Sequence, residues 1–334
     1  SRLIKYINDN QILENKYELK ALLHLISHIS NHHQRSPNFF NKIEKIIQKI
    51  SKEIQSNFTN FNIFYIFKDN KRILLFLFDS KIIIPDQEIC RFICSPSYIE
   101  MFYPQFFYTE FESLFSVKMK KQFKPKEKIK IDSRKNGEND QYICKLIQTD
   151  SIKDFIVYMT KNNYSLNKTV IPTSIYETNL FLLNQKHISL IEYAVFYGSI
   201  QIFKYLQLNG VEYPPSLKIF AIHGRNPEII HSLEDNHIFI NNNKDCFECY
   251  IESIKCHHIE LMNYIKDNYL NDVKNDLTQF YLKNFEFYNF ENVSEKVEIQ
   301  NALYELCKND YITIIDFYLK NVDFDINKPI KIHF

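Results

Sequence analysis

Hydrophobic residues recur along the chain at the three- and four-residue spacing of amphipathic helices. In 17–29 they are Leu22, Leu25, Ile26 and Ile29, and in 39–54 they are Ile43, Ile46, Ile47, Ile50 and Ile54. Shorter apolar helices are predicted at about 60–68, 71–79, 87–94 and 97–103. No set of alternating apolar and polar runs, bounded by turn residues, indicates a sheet. The pattern therefore predicts an all-α protein.

One stretch, from Val117 to Asn139, interrupts this pattern. Its basic residues are Lys118, Lys120, Lys121, Lys124, Lys126, Lys128, Lys130, Arg134 and Lys135. The few apolar residues between them offer little burial to offset the entropy of ordering so many long side chains. We expect a Lys-rich linker at 118–140, between an N-terminal helical region (1–117) and a C-terminal region (141–334).

The clearest local motif is a helix–turn–helix unit between Ser189 and Gly210. Ser189 and Glu192 have the S-x-x-E spacing of a capping box, which begins a helix. Gly198 ends this helix, because glycine adopts the left-handed conformation found just past a C-terminus. A second amphipathic helix follows at 201–206, and Asn209-Gly210 stops it. The unit is a short helical hairpin.

Similar units recur along the chain. Their second helices begin at 154, 201, 228, 260 and 313, and weaker copies occur at 72–77 and 97–102. Ala194 and Ala221, two of the few alanines, occupy equivalent positions in the first helices. The spacing is uneven, and the extra residues fall near 160–188 and 267–297. One hairpin cannot bury its own apolar face, so we expect neighbouring hairpins to stack.

The string from Ser189 to Gly210 resembles the ankyrin-repeat family. Ser189-Leu190-Ile191-Glu192-Tyr193-Ala194, Gly198, Ile202-Phe203, Tyr205-Leu206 and Asn209-Gly210 follow the T-P-L-H-x-A, G, I-V, L-L, N-G skeleton. The segment 321–327 is similar to the finger that opens a further repeat. More closely, the chain resembles divergent ankyrin-repeat proteins with a domain of unknown function, which are expanded in parasitic protists. The likeness extends over roughly 142–327 and is weaker over 60–117.

This resemblance implies a fold and a function. The fold is a helical-hairpin solenoid of ankyrin-like repeats, preceded by an irregular helical N-terminal region. The function is non-enzymatic recognition of another protein by a monomer, without a cofactor, a membrane or nucleic acid. The finger residues expected to contact the partner are Gln185, Lys186, His187, Tyr213, Asn241, Asn242 and Lys244.

The composition argues against several other classes of protein. The 334 residues include 41 basic and 40 acidic ones, so the net charge of +1 does not attract nucleic acid or an anionic membrane as a whole. Four glycines, none clustered, cannot form a P-loop or a dinucleotide-binding loop. The longest apolar run, Ile73–Phe78, is too short to span a bilayer. Seven scattered cysteines favour a reducing compartment, the cytoplasm or the nucleus.

A zinc site is one alternative to protein recognition. Cys246, Cys249, Cys256 and His257 offer three thiols and an imidazole, which is a suitable ligand set for tetrahedral zinc. The same cysteines also lie on one predicted helix face, and buried cysteine is a common core residue. We favour the core interpretation, as we do for Cys90 and Cys94.

Two further polar patterns have both a structural and a functional interpretation. His24, His28 and His32 share a helix face that could chelate a metal, but a solvated face explains them more simply. The Lys118–Lys135 stretch could bind nucleic acid or an acidic partner. Phe123 is the one aromatic residue interleaved with it, so no base-stacking platform is evident.

Overall fold

A computed structural model describes residues 2–9, 11–32 and 38–270, and these residues fold into helices without a β-strand. The predicted all-α class is confirmed for this part of the chain. The first ten α-helices are α1 (Arg2–Asp9), α2 (Lys16–His32), α3 (Phe39–Lys49), α4 (Ser51–Asn57), α5 (Asn60–Phe67), α6 (Lys71–Asp79), α7 (Gln87–Ile93), α8 (Pro96–Glu100), α9 (Tyr103–Phe106) and α10 (Tyr108–Phe111).

The remaining α-helices lie between Val117 and Ile265. They are α11 (Val117–Phe123), α12 (Ile131–Asn136), α13 (Tyr142–Gln148), α14 (Ile152–Lys161), α15 (Leu180–Leu183), α16 (Leu190–Tyr197), α17 (Ile200–Leu208), α18 (Leu217–Gly224), α19 (Pro227–Asp235), α20 (Asn243–Lys255) and α21 (Ile259–Ile265). A 3₁₀ turn (Ile12–Glu14) precedes α2, and a π-helical turn (Lys266–Leu270) follows α21.

The chain divides into two compact units. The first comprises 1–32 together with 230–334, and the second comprises 33–229. The predicted Lys-rich segment at 118–140 lies inside the second unit rather than between two domains. The structure therefore differs from the predicted organisation.

Aromatic side chains form much of the core of the second unit between α5 and α10. Phe64, Phe67, Phe106, Phe107 and Phe111 are at most 1% exposed. The Phe78 ring packs edge-on against the rings of Phe107 and Phe111, with centroids 5.5 Å away in both cases. Such edge-to-face packing adds to the stabilisation that burial of apolar area provides.

The predicted hairpin at 189–210 is present as α16 and α17. Ser189 Oγ accepts the Glu192 amide and Glu192 Oε2 accepts the Ser189 amide at 2.8 Å, so the capping box is confirmed. Gly198 ends α16 with φ +67°, as expected for a left-handed C-terminal glycine. The second helices α14, α17, α19 and α21 begin at 152, 200, 227 and 259, within two residues of the predicted starts.

Neighbouring hairpins of the second unit contact each other through equivalent helices. α13 packs on α16, α14 packs on α17, and α16 packs closely on α18. Asp150, in the turn between α13 and α14, accepts the amides of Gln201 at 2.9 Å and Ile202 at 3.0 Å. A carboxylate from one hairpin therefore satisfies free N–H groups at the start of the next hairpin's second helix.

The Lys-rich segment is ordered, which corrects the expectation of an unstructured linker. It contains α11 and α12, and it buries Phe123 and Arg134. Arg134 makes a two-pronged ion pair with Glu110, at 2.9 Å and 2.7 Å, and donates to the Phe106 carbonyl. The number of charges in the segment does not reveal that one of them, Arg134, is itself buried and makes a bidentate ion pair.

Loss of this ion pair is expected to destabilise the second unit strongly. Arg134→Met leaves the Glu110 carboxylate desolvated and unpaired, which should lower the free energy of unfolding by about 3 kcal/mol. The matched control is Lys204→Met, which breaks the Lys204–Glu228 pair of the same unit, where the two side chains are 57% and 65% exposed. That change should cost less than about 1 kcal/mol. Urea unfolding of both variants provides the comparison, and equal effects would contradict the assignment.

The first unit contains α1, α2 and the hairpin of α20 and α21 among the described residues. On α2 the buried side chains are Leu19, Leu22, Leu23, Ile26, Ser27 and Ser30, whereas Leu25 and Ile29 are half-buried. The buried face is therefore rotated relative to the predicted one. The copy at 313–318, the finger at 321–327, Cys307 and all but the first residues of the 267–297 insertion lie outside the described residues.

None of the helices in the described ranges combines the length and hydrophobicity that a bilayer crossing requires.

Candidate functional site

The predicted insertion at 160–188 forms a long loop between α14 and α16, and α15 lies within it. An isolated antiparallel bridge joins Val170 to Ser189, and the Ile171 amide donates to the Ile188 carbonyl at 2.8 Å. The two ends of the loop segment 170–189 are thus held together. The loop is a folded feature that forms one wall of a cleft.

This cleft lies wholly within the second unit and has a volume of about 400 Å³. Its walls come from α8 and the turn after it, from Asn139, from the loop at 171–188 and from Tyr193 on α16. Asn139 is fixed by donating to the Pro172 carbonyl at 2.7 Å, and its side-chain oxygen accepts the Gln141 amide. We call it the Glu177 cleft, after the most deeply buried carboxylate in its lining.

Glu177 is 7% exposed, and its two carboxylate oxygens differ sharply in their contacts. Oε1 accepts the backbone amides of Thr178 at 3.0 Å and Asn179 at 2.8 Å, whereas Oε2 has no hydrogen-bond partner. Burial raises the pKa of Glu177 to about 7, although the two amides and Lys71 oppose the rise. The carboxyl group therefore changes charge near neutral pH.

Lys71 is fully buried, and its positive charge lowers the pKa of Glu177. It is the first residue of α6, directly after Asn70, whose side chain caps that helix by accepting the Ile73 amide. The Lys71 Nζ makes no hydrogen bond and lies 5.5 Å and 5.2 Å from the ring centroids of Tyr103 and Phe106. Burial lowers the pKa of Lys71 to about 7, and the negative charge of Glu177 opposes this shift.

The end of the Lys-rich segment holds the residue next to Glu177 in place. The Gly137 carbonyl accepts both the amide of Thr178, at 3.0 Å, and its hydroxyl, at 2.7 Å. Gly137 has φ +73°, and a Cβ there would lie 2.7 Å from the Thr178 hydroxyl oxygen. Only glycine therefore fits both the backbone conformation and this close approach.

Two buried groups with pKa values near 7, beside a cleft, give the site a defined chemical capacity. Glu177 can accept a hydrogen bond on Oε2 or take up a proton, and Lys71 can lose one. Such perturbed groups cluster at functional sites. Neither residue is among the predicted site residues, because no local motif marks a lysine at the start of an apolar helix or a glutamate in a long loop.

The structure places four of the predicted contact residues in the second unit. Gln185 and Lys186 line the Glu177 cleft, and His187 is exposed beside them. Tyr213 is half-buried, and its ring stacks on that of Phe203 with centroids 6.2 Å apart. Three of the four residues therefore lie together, and Tyr213 has a packing role.

The other three predicted contact residues lie in the first unit, around the start of α20. All three are exposed. The Asn242 side chain caps α20 by accepting the Asp245 amide at 2.9 Å, and Asn241 donates to the His237 carbonyl. Lys244 lies 3.9 Å from Glu248 on the same helix. Asn241 and Asn242 thus stabilise the local fold, whereas the Lys244 side chain is 84% exposed.

The proposed zinc ligands do not converge. Among the described residues, no three of Cys246, Cys249, Cys256 and His257 bring their donor atoms within 4.8 Å of one another. The three cysteines are at most 2% exposed, and burial raises the pKa of Cys246 to about 11. The geometry fits buried core cysteines.

The histidine face of α2 is less solvated than predicted. His24, His28 and His32 are half-buried rather than exposed, which corrects the expectation of a solvated face. The ring of His28 lies 4.7 Å from that of His32 and 6.0 Å from that of His257. These residues pack within the first unit.

Comparisons with known proteins give no relative: no family model matches the chain, and no curated protein or solved structure matches it significantly.

Proposed function

We propose that the chain is a non-enzymatic protein-recognition scaffold built from stacked helical hairpins of the ankyrin type. The observation that supports it is the contact of equivalent helices, α13 with α16 and α14 with α17, between successive hairpins. The apolar face of each hairpin packs on that of its neighbour, so the loops between hairpins are free to vary. The long loop at 162–189 is then an enlarged finger.

The recognition surface that we assign is the finger around Lys186 and His187. Both side chains are exposed, and they adjoin a cleft with a buried, incompletely hydrogen-bonded carboxylate. Rigid helices that carry an ordered loop are a common arrangement for binding sites, because the scaffold holds the loop in position. Lys244 in the first unit remains a predicted contact.

Truncation of the finger side chains tests the proposal. Lys186→Ser combined with His187→Ser should lower the recovery of specifically bound partners at least tenfold in quantitative affinity capture. The melting temperature should stay unchanged, because neither side chain is buried. The matched control is Lys153→Ser, which truncates an exposed lysine on α14 of the same unit. The surface assignment fails if both variants retain the same partners, or if both lose them equally.

Nucleic-acid binding through the Lys118–Lys135 stretch stays a second prediction. Exposed lysines can contact the phosphates of a nucleic acid. Those of this stretch are Lys118, Lys121, Lys124, Lys126, Lys128, Lys130 and Lys135. Arg134 is occupied by Glu110, and Phe123 is buried, so neither is available for a base or a phosphate. The structure thus offers charge without a stacking surface.

A further inference from the structure

A buried carboxylate oxygen without a hydrogen bond is costly in a folded protein. Glu177 Oε2 is such an atom, and Glu177 lines the cleft. Buried polar atoms are paired in the great majority of cases, and those that are not require an explanation, such as a ligand. Because the ionised carboxylate only accepts hydrogen bonds, the partner that it lacks is a donor.

The charges around the cleft favour a cationic donor. Glu100 and Glu177 line it and Glu138 lies near enough to affect Glu177, whereas the basic groups are Lys186 in the lining and the buried Lys71, so carboxyl groups outnumber lysines by three to two. Phe102 and Tyr193 contribute aromatic surface. An ammonium or guanidinium group on an apolar stem matches this mixture, because its stem packs on apolar walls while its head pairs with a carboxylate.

We propose that the Glu177 cleft binds a lysine or arginine side chain of a partner protein, with the cationic head paired with the Glu177 carboxylate. This inference rests on the proposed recognition function and specifies its chemistry. Gln185 and Lys186 of the finger line the same cleft, so a partner that docks on the finger has direct access to it. The volume of about 400 Å³ suits one long side chain with its flanking peptide.

Binding of a cation at this point is coupled to proton release. A positive charge beside Glu177 favours its ionised form and disfavours the protonated form of Lys71. Both groups have pKa values near 7, so at pH 7 the complex releases up to about one proton. The other titratable groups around Glu177 are Glu138 after α12, Cys144 on α13, Tyr193 on α16, and Glu100 and Lys186 in the cleft lining.

The test is calorimetric titration of the full chain with single amino-acid derivatives. The probes are Nα-acetyl-lysine methylamide and Nα-acetyl-arginine methylamide, and the neutral isostere is Nα-acetyl-norleucine methylamide. We expect the basic probes to bind at least tenfold more tightly than the neutral one. Repeating the titration at pH 7 in two buffers of different ionisation enthalpy should show the proton release.

Two variants locate the binding. Glu177→Gln keeps an oxygen for the Thr178 and Asn179 amides but removes the charge, so it should weaken the basic probes at least tenfold and abolish the proton release. Glu212→Gln removes an exposed carboxylate outside the cleft lining and should change neither. Circular dichroism checks that both variants are folded.

Three results would overturn the proposal. They are equal binding of lysine and norleucine derivatives, unchanged binding in Glu177→Gln, and wild-type binding without proton release. Equal affinity for free n-butylammonium would assign the cleft to a small amine instead of a partner side chain. Because the probes are not proteins, a negative result here leaves the finger and its captured partners to be judged by the truncation of Lys186 and His187.

Discussion

Replacing Gly224 with alanine is expected to destabilise the second unit by about 3 kcal/mol or more, although alanine is the better helix former. Gly224 is the last residue of α18, and an added Cβ would lie 2.0 Å from the Val195 carbonyl oxygen and 3.2 Å from its carbon. Because these are backbone atoms of α16, no side-chain rotation relieves the clash. The two helices would have to separate.

Gly210→Ala is the matched control for this prediction. Gly210 has φ +67°, so alanine there is conformationally strained, but no atom lies within 4 Å of the added Cβ. The expected cost is about 1 kcal/mol, from backbone strain alone. Urea unfolding, followed by circular dichroism, measures both changes. A neutral or stabilising Gly224→Ala would show that α16 and α18 are not in such close contact.

The local elements were predictable because their signals are local. The capping box of Ser189 and Glu192, followed by Gly198, determines where α16 begins and ends whatever surrounds it. The same holds for the second helices of the described hairpins, whose apolar spacing alone marks them. The stacking of α13 on α16 followed from the need of each hairpin for an apolar neighbour.

The tertiary features were not predictable from such signals. Arg134 belongs to a run of lysines, and nothing in the run distinguishes the one basic residue that is itself buried. The closeness of Gly224 to Val195 depends on how two helices pack, not on the residues beside it. The burial of Lys71 and Glu177 likewise depends on contacts between distant segments, which hydrophobic periodicity does not encode.

The free energy of unfolding is expected to pass through a minimum near pH 7 because of Lys71 and Glu177. The folded-state pKa of Glu177 is about 7, above its ordinary value of 4.5, so its contribution to stability is lost as pH rises from 4.5 to 7. The folded-state pKa of Lys71 is about 7, below its ordinary 10.5, so its contribution is lost as pH falls from 10.5 to 7. Each of these two arms of the pH profile, one for each group, is a loss of a few kcal/mol in unfolding free energy, at about 1.4 kcal/mol per unit of pKa.

Substitutions separate the two arms of this profile. Glu177→Gln should remove the loss between pH 4.5 and 7, and Lys71→Met should remove the loss between pH 10.5 and 7. Exposed residues of the same types, in Glu212→Gln and Lys153→Met, should leave the shape unchanged. The measurement is the wild-type minus variant difference in unfolding free energy across pH 4.5–10.5, which cancels the other titrating groups.

The difference in unfolding free energy between the wild type and Glu177→Gln should change with pH below 7. If it does not change, the Glu177 carboxylate is hydrated or fully paired in solution. If the minimum is present, the protein retains two charged groups where apolar side chains of similar size would be more stable. Stability alone does not explain these two groups, and the proposed binding of a cation at Glu177 is a use for them. The depth of the minimum measures what their burial costs in unfolding free energy.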